Sequence, residues 1–388
     1  MSLWLEAPDC TVFHGSALEE LQGFEDESVQ CCVTSPPYWG LRDYKTPPQV
    51  WGGDPVCEHE WGPQVPGSNR GGSGTPTDKN NRGENYGRDA ARGNWCQSCG
   101  AWLGSLGLEP TPELYVEHAV TIFREVRRTL RKDGTLWLNI GDSYSNDTKW
   151  GGKSGGKNYT SAAGNYQGQR VRRGNDCDPK RGPAAPGQPM RRCSGDGLKP
   201  KDLVGIPWML AFALRADGWW LRQEIIWNKL NAMPEPVKDR CVKSHEHLFL
   251  LAKAARYHFD FKSIEEPAVC SRKRGPALRQ VVPNGGDNSG LSKREPKDTR
   301  NKRSVWGVNT QSYKGAHFAT FPPKLIEPCI LAGCPVGGLV LDPFAGSGTT
   351  LATALSLGRR ATGIELQFDY LPMIQRRIEK AKLTLLLS

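Results

Sequence analysis

The stretch Leu339-Val340-Leu341-Asp342-Pro343-Phe344-Ala345-Gly346-Ser347-Gly348-Thr349-Thr350 constrains this chain more than any other. A β-rich run stops at an acidic residue, passes through a loop of small residues and starts a helix. An acid at the carboxyl end of a strand sits where open α/β sheets bind ligands, and glycines let the backbone approach such a ligand closely. Further on, Ala361-Thr362-Gly363-Ile364 forms another short strand ending at Glu365, placed to accept hydrogen bonds from two ribose hydroxyls. A Gly-x-Gly loop alone is equally an ordinary strand-to-helix turn. Strand, Asp, Gly-x-Gly, helix, strand and Glu in that order predict a nucleotide-cofactor site.

A second stretch lies near the other end. The apolar run Val29 to Val33 leads into Thr34-Ser35-Pro36-Pro37-Tyr38-Trp39-Gly40. Two prolines fix φ and remove two backbone donors, leaving carbonyls to accept hydrogen bonds, while Ser35 adds a short polar group and Tyr38 and Trp39 offer faces for stacking. Something flat is expected against this turn.

Together the two stretches resemble the amino-group DNA methyltransferases that use S-adenosylmethionine. Ser35-Pro36-Pro37-Tyr38 matches that family's catalytic motif, and Asp342 to Thr349 matches its cofactor motif. The catalytic motif comes first, as in the permuted β group, whereas Pro-Pro-Tyr methylases acting on proteins usually carry the cofactor motif first. His317 to Ile326 looks like the family's methionine-binding element, with Phe321 and Lys324 inside it. The family's Gly-Asp is Gly15-Ser16 in this chain. The resemblance implies a Rossmann-like methyltransferase fold: one mostly parallel seven-stranded sheet with an antiparallel edge pair and helices on both faces. It implies S-adenosylmethionine with Glu365 on the ribose, the Ala345 to Gly348 backbone along the methionine, Phe344 and Phe321 as apolar walls and Lys324 towards the carboxylate. Duplex DNA is the implied partner, a cognate restriction endonuclease is allowed for, and a bacterial or phage cytoplasm is the implied setting.

Composition bounds the same reading independently. The 388 residues can bury one large α/β core with insertions, and a charged fraction of 24% with mean hydropathy −0.55 describes a soluble chain. No apolar run approaches the roughly 20 residues that span a bilayer, and the first residues lack the basic and apolar pattern of a signal peptide. A net charge of +10 favours a polyanionic partner. The 12 cysteines suit a reducing compartment with metal ligands better than a disulfide scaffold.

Along the chain, core segments alternate with polar insertions. Residues 1–51 carry the catalytic half of the core, 111–145 and 201–261 more core, and 317–388 the cofactor half. Residues 52–110 break the α/β rhythm with Cys57-Glu58-His59 at one end and Cys96-Gln97-Ser98-Cys99 at the other. Cys57, His59, Cys96 and Cys99 make the closed four-ligand set of structural zinc, which would replace the core that the polar residues between them cannot form. Residues 146–200 read as a flexible basic insertion and 262–316 as the target-recognition region, whose Lys and Arg can neutralise phosphates. Arg42 is a candidate phosphate contact. Asp142, at a strand end, either positions substrate or caps a loop.

The expected chemistry is methylation of an exocyclic amine on a flipped base. A C5-cytosine mechanism needs a cysteine after the first proline, where this chain has Pro37, while Cys31 and Cys32 lie back in the strand. Ser at position 35 resembles the cytosine-N4 members; adenine-N6 members more often carry Asp or Asn there. Adenine N6 stays the alternative, with an RNA methyltransferase or an inactive DNA-binding homologue behind it.

Overall fold

The computed structural model describes residues 2–41, 43–62, 94–145, 198, 201–268, 298–311 and 321–387. The expectations for Arg42, for most of the loop between the two metal-ligand pairs, for the 146–200 insertion, for most of the basic 262–316 region and for 317–320 fall outside these residues. The strands are β1 (Leu3–Ala7), β2 (Cys10–His14), β3 (Val29–Thr34), β4 (Gln49–Trp51), β5 (Asn94–Trp95), β6 (Trp102–Gly104), β7 (Leu130–Ile140), β8 (Trp220–Asn228), β9 (His245–Ala252), β10 (Glu266–Pro267), β11 (Thr299–Arg300), β12 (Val305–Gly307), β13 (Leu339–Asp342) and β14 (Arg360–Glu365). The helices are α1 (Ala17–Gln22), α2 (Pro112–Thr129), α3 (Ile206–Ala216), α4 (Pro323–Gly333), α5 (Thr349–Ser356) and α6 (Leu371–Leu387).

The main sheet has nine strands in the order β1-β2-β14-β13-β3-β7-β9-β8-β12. Strands β2, β14, β13, β3 and β7 run parallel, and β9 is antiparallel to both of its neighbours, β7 and β8. From β2 to β8 this is the expected seven-stranded sheet with its antiparallel pair. Two short strands extend it: β1 folds back antiparallel on β2, and β12 pairs parallel with β8. Thus Val305–Gly307, inside the stretch read as target recognition, belongs to the sheet, with Trp306 in its core.

Strand β3 is buried along its whole length, which a strand can be only when both sheet faces are covered. Its side chains alternate between two cores. Cys32 faces the core under α1, α2 and α3 with Leu136, Leu138 and Ile140 of β7, while Cys31 and Val33 face the core under α4, α5 and α6 with Trp137 and Val340. Helix α2 starts where Thr111 accepts the Leu114 amide at 3.3 Å and Pro112 occupies the first turn. Its apolar stripe, including Val116, Ala119, Phe123 and Val126, is buried as the sequence spacing predicts. In α6, Ile374 and Ile378 are buried, while Leu383 is 60% exposed. Trp219 and Trp227 pack in the core, whereas Trp220 is exposed. Among the described residues, no helix is long and apolar enough to cross a membrane.

Candidate active site and metal centre

Strands β13 and β3 are parallel neighbours, with Val340 opposite Cys31 and Leu341 opposite Cys32. Their carboxyl ends therefore bring the two motifs to one rim. The Thr34 hydroxyl donates to Asp342 Oδ1 at 2.6 Å, joining residues 308 apart in the chain, and the Thr350 hydroxyl donates to the Val33 carbonyl at 3.2 Å. Asp342 also accepts the Phe344 amide at 3.1 Å. Burial pushes its carboxyl up to about 6, and the Thr34 hydroxyl opposes that rise.

The Ser35–Tyr38 turn is held from below. Tyr115 donates its hydroxyl to the Pro37 carbonyl at 2.8 Å, and the buried Trp39 indole donates to the Glu109 carbonyl at 3.0 Å. Gly107 accepts the Gly40 amide at 2.8 Å. Its φ of +92° is left-handed, and a Cβ there would stand 3.2 Å from Pro37 Cβ, so both its conformation and its contact call for glycine.

Tyr38 is the hub of a polar network. Its hydroxyl accepts from Ser35 Oγ at 3.3 Å and from Asn139 Nδ2 at 2.7 Å, and donates to Glu246 Oε2 at 2.8 Å. Asn139 Nδ2 also reaches Glu246 Oε2 at 3.1 Å, and Lys229 pairs with Glu246 Oε1. Burial would push the Glu246 carboxyl up, but Lys229, Tyr38 and Asn139 outweigh burial and hold it below the usual carboxylate range. Burial, then the Glu246 charge, push the Tyr38 phenol well above its ordinary value. The phenol therefore keeps its proton and spends it on Glu246, and Ser35 spends its own on Tyr38. The lone pairs of Ser35 Oγ are left as acceptors. Gly141 sits against the Tyr38 ring, where a Cβ would stand 2.6 Å from Cε2.

The cofactor motif forms the expected strand–loop–helix. Gly348, at φ +79° just ahead of α5, has room only for hydrogen, since a Cβ would meet Ile374 Cα of α6 at 3.1 Å. Ala345 donates its amide to the Ile364 carbonyl at 2.9 Å and Gly348 donates to the Ala345 carbonyl at 2.8 Å. Arg377 donates to Thr349 Oγ1, tying α6 to the loop, and Ser347 is buried. Phe344 meets Phe123 edge-on at 6.4 Å. Glu365, at the end of β14, accepts the Gly346 amide on Oε2 and the Gln367 amide on Oε1, each at 2.7 Å. Burial pushes its carboxyl up to about 7, with those two amides opposing the rise. Phe321 is half-buried against the core under α4, and Lys324 is exposed on the first turn of that helix. Among the described residues, neither has a hydrogen bond or ring contact to the loop.

The four predicted metal ligands come together. Their donor atoms all lie within 4.8 Å of one another, with Cys57 Sγ 3.9 Å from Cys96 Sγ and Cys99 Sγ 3.4 Å from His59 Nδ1. Tetrahedral zinc with Zn–S bonds of about 2.3 Å spaces two sulfurs by about 3.8 Å, so the donor set fits that ion. The Cys96 to Cys99 turn closes through the Cys96 amide on the Ala101 carbonyl at 2.7 Å and the Gly100 amide on the Cys96 carbonyl at 3.0 Å. Strands β4, β6 and β5 form a small antiparallel sheet beside it. Four protein ligands on one ion would leave no open position for water, the arrangement of a structural site.

Asp142 turns out to cap α3: its carboxylate accepts the Gly205 amide at 3.0 Å and the Ile206 amide at 3.2 Å. Sequence reasoning missed Asn139, Lys229 and Glu246. Their signal was slight: a polar residue one place before the end of an apolar strand, a lysine just past another, and a Glu second in a third.

The DNA methylase family profile matches residues 29–376, and the chain belongs to that family. More particularly, it is similar to the type II methyltransferases M.SmaI of Serratia marcescens, 38% identical over 95% of this chain and 90% of that protein, and M.Cfr9I of Citrobacter freundii, 37% identical over 97% and 89%. Among solved structures it is similar to the cytosine-N4-specific PvuII DNA methyltransferase, with a TM-score of 0.51 at 15% identity over 97% of this chain and 91% of that one, a likeness of fold. A DNA methylase of this class takes its methyl group from S-adenosylmethionine.

Proposed function

We propose that this chain is a site-specific DNA methyltransferase acting on the exocyclic N4 amine of cytosine. The observation that carries the reading is the commitment of the Ser35 proton to Tyr38, and of the Tyr38 proton to Glu246, at a turn facing the cofactor loop. The amine of cytosine or adenine is a poor nucleophile because its lone pair is delocalised into the ring. Ser35 Oγ and the Pro36 carbonyl accept the two amine protons and draw density back onto nitrogen; the Pro37 carbonyl is already taken by Tyr115. Tyr38 stacks on the flipped base, and its ring is fixed by Gly141 behind it and Glu246 at its hydroxyl. Bound S-adenosylmethionine would supply the electrophilic methyl: the nitrogen would take it as the sulfur–methyl bond breaks to leave S-adenosylhomocysteine, and one of the two amine protons held by Ser35 Oγ and the Pro36 carbonyl would pass to solvent. Glu365 takes the ribose, the Ala345 to Gly348 backbone the methionine, Phe344 and Phe321 the apolar walls, and Lys324 the carboxylate.

Cytosine is preferred to adenine because the neutral, short Ser35 suits a smaller ring that carries its own acceptor, in line with the resemblance to cytosine-N4 enzymes. The type II names of the relatives support duplex DNA as substrate, a paired restriction endonuclease as partner and a bacterial cytoplasm as setting. The test is transfer of labelled methyl from S-adenosylmethionine to duplex DNA, followed by digestion to nucleosides. N4-methylcytosine is expected, with Ser35→Ala lowering turnover more than DNA affinity. N6-methyladenine would overturn the choice of base, and label on RNA alone would overturn the choice of substrate.

A further inference from the structure

The small sheet beside the metal ligands has strands of only three, two and three residues. Trp51 and Trp102 dock one side of it on the main core, while Cys57, His59 and Cys99 at its other end are only half-buried. The sheet ends against the catalytic turn. Strand β6 leads through Ser105 to Gly107, whose carbonyl accepts the Gly40 amide and whose backbone lies against Pro37. Two tryptophans of the sheet, Trp51 and Trp102, sandwich His118 with ring centroids at 4.6 and 5.4 Å and planes tilted by only 20° and 21°. His118 Nδ1 lies 3.1 Å from Glu109 Oε1, Glu109 Oε2 accepts the Gly107 amide at 2.8 Å, and the Glu109 carbonyl accepts the Trp39 indole. An unbroken line of contacts thus runs from Cys96 and Cys99 to the residues flanking Tyr38.

We propose that zinc held by Cys57, His59, Cys96 and Cys99 braces the catalytic turn, so that metal occupancy sets the rate of methyl transfer without setting cofactor affinity. The ion closes the end of the small sheet that the main core does not reach, and the segment after β6 sets Gly107 against Pro37. When the ion is lost, the Cys96–Ala101 turn ahead of β6 loosens and Gly107 is held less firmly. Tyr38 and Ser35 then lose part of their backbone reference while the loop between β13 and α5, held by β14 and α6 instead of the small sheet, keeps its own. The effect on turnover rests on the reading of Ser35–Tyr38 as the catalytic turn; the effect on the turn itself does not.

The experiment uses the full chain, stripped of metal by a chelator at neutral pH and then given zinc back. Purified protein is expected to hold about one zinc per chain. Stripping should lower turnover at least about tenfold, the scale of a small misplacement of reacting groups, with affinity for S-adenosylmethionine unchanged and turnover restored by zinc. Hydrogen exchange read by mass spectrometry should show faster exchange in peptides containing Gly40 and Gly107, with none in the β13–β14 peptides. Cys99→Ser should reproduce both effects. Protein that holds no zinc, or stripped protein whose Gly40 amide stays as protected as before, would overturn the brace. If the chain proved not to methylate DNA, the exchange result would still stand or fall alone.

Discussion

The proposed place of Glu365 on the ribose gives the most direct test of the cofactor reading. The two Glu365 oxygens each accept one backbone amide, from Gly346 and Gln367, at 2.7 Å. A carboxylate offers about four acceptor positions, so two remain for the 2′ and 3′ hydroxyls of the ribose. Burial raises the carboxyl from its usual range to about 7, so the site is half protonated near neutrality before the cofactor arrives. The cofactor's hydroxyls need the ionised form, so binding must release a proton below that pH. Apparent affinity should be level above about pH 8 and weaken towards tenfold per unit below about pH 6, each unit being about 1.4 kcal/mol. The same shift acts on stability with a definite sign. The folded state without cofactor holds a proton that the unfolded chain has already lost, so the stability due to Glu365 is present below the unfolded value near 4.5 and is lost as pH rises to about 7. Titration calorimetry from pH 5.5 to 8.5 measures the first effect. Glu365→Gln serves as control for titration of the cofactor's own amine. An amide nitrogen cannot accept a backbone N–H, so this variant should bind about 1–3 kcal/mol more weakly and lose the dependence near pH 7. Equal affinity at pH 5.5 and 8.5 in the natural protein would refute the assignment of Glu365 to the ribose.

Glu246→Gln should lower kcat while leaving affinity for S-adenosylmethionine unchanged, because Lys229 then faces a neutral partner and Tyr38 loses its charged acceptor; a buried hydrogen bond to charge is worth about 1.5–3 kcal/mol, or roughly tenfold or more in rate. Steady-state kinetics at saturating DNA read it, and an unchanged kcat would remove Glu246 from the positioning of Tyr38. Gly141→Ala would place a methyl 2.6 Å from Tyr38 Cε2, too close for the ring to stay where it is. Turnover should fall with the melting temperature lowered by only a few degrees, as measured by calorimetry.

What could be read from the sequence was whatever a short run of neighbours encodes. Asp342 to Glu365 announces itself because strand, loop, helix and strand follow one another without interruption, and Ser35 to Tyr38 because two prolines are rare after a buried strand. The Cys and His cluster was legible as two pairs, since Cys57 with His59 and Cys96 with Cys99 each lie on one turn. The support of Tyr38 was not legible. Asn139 and Glu246 come from β7 and β9 and Lys229 from the residue just past β8, and only the pairing of β7 with β9 and of β9 with β8 gathers them, Asn139 and Glu246 at the Tyr38 hydroxyl and Lys229 on Glu246. Strand β12 was hidden for a related reason: three residues in a basic stretch carry no period, and Trp306 becomes a core residue only once β8 lies beside it.

The position of β13 and β14 between β2 and β3 bears on how the molecule comes into being. Both flanking strands are synthesised within the first tenth of the chain, yet each has a long edge that stays open until Leu339–Glu365 emerges from the ribosome. Such edges invite pairing with other chains, and contacts between residues so far apart form slowly. The nascent protein therefore passes most of its synthesis with those two edges unpaired, the condition that favours aggregation. Truncated chains ending before β13 would not be weakened enzymes; they would lack the middle of their sheet.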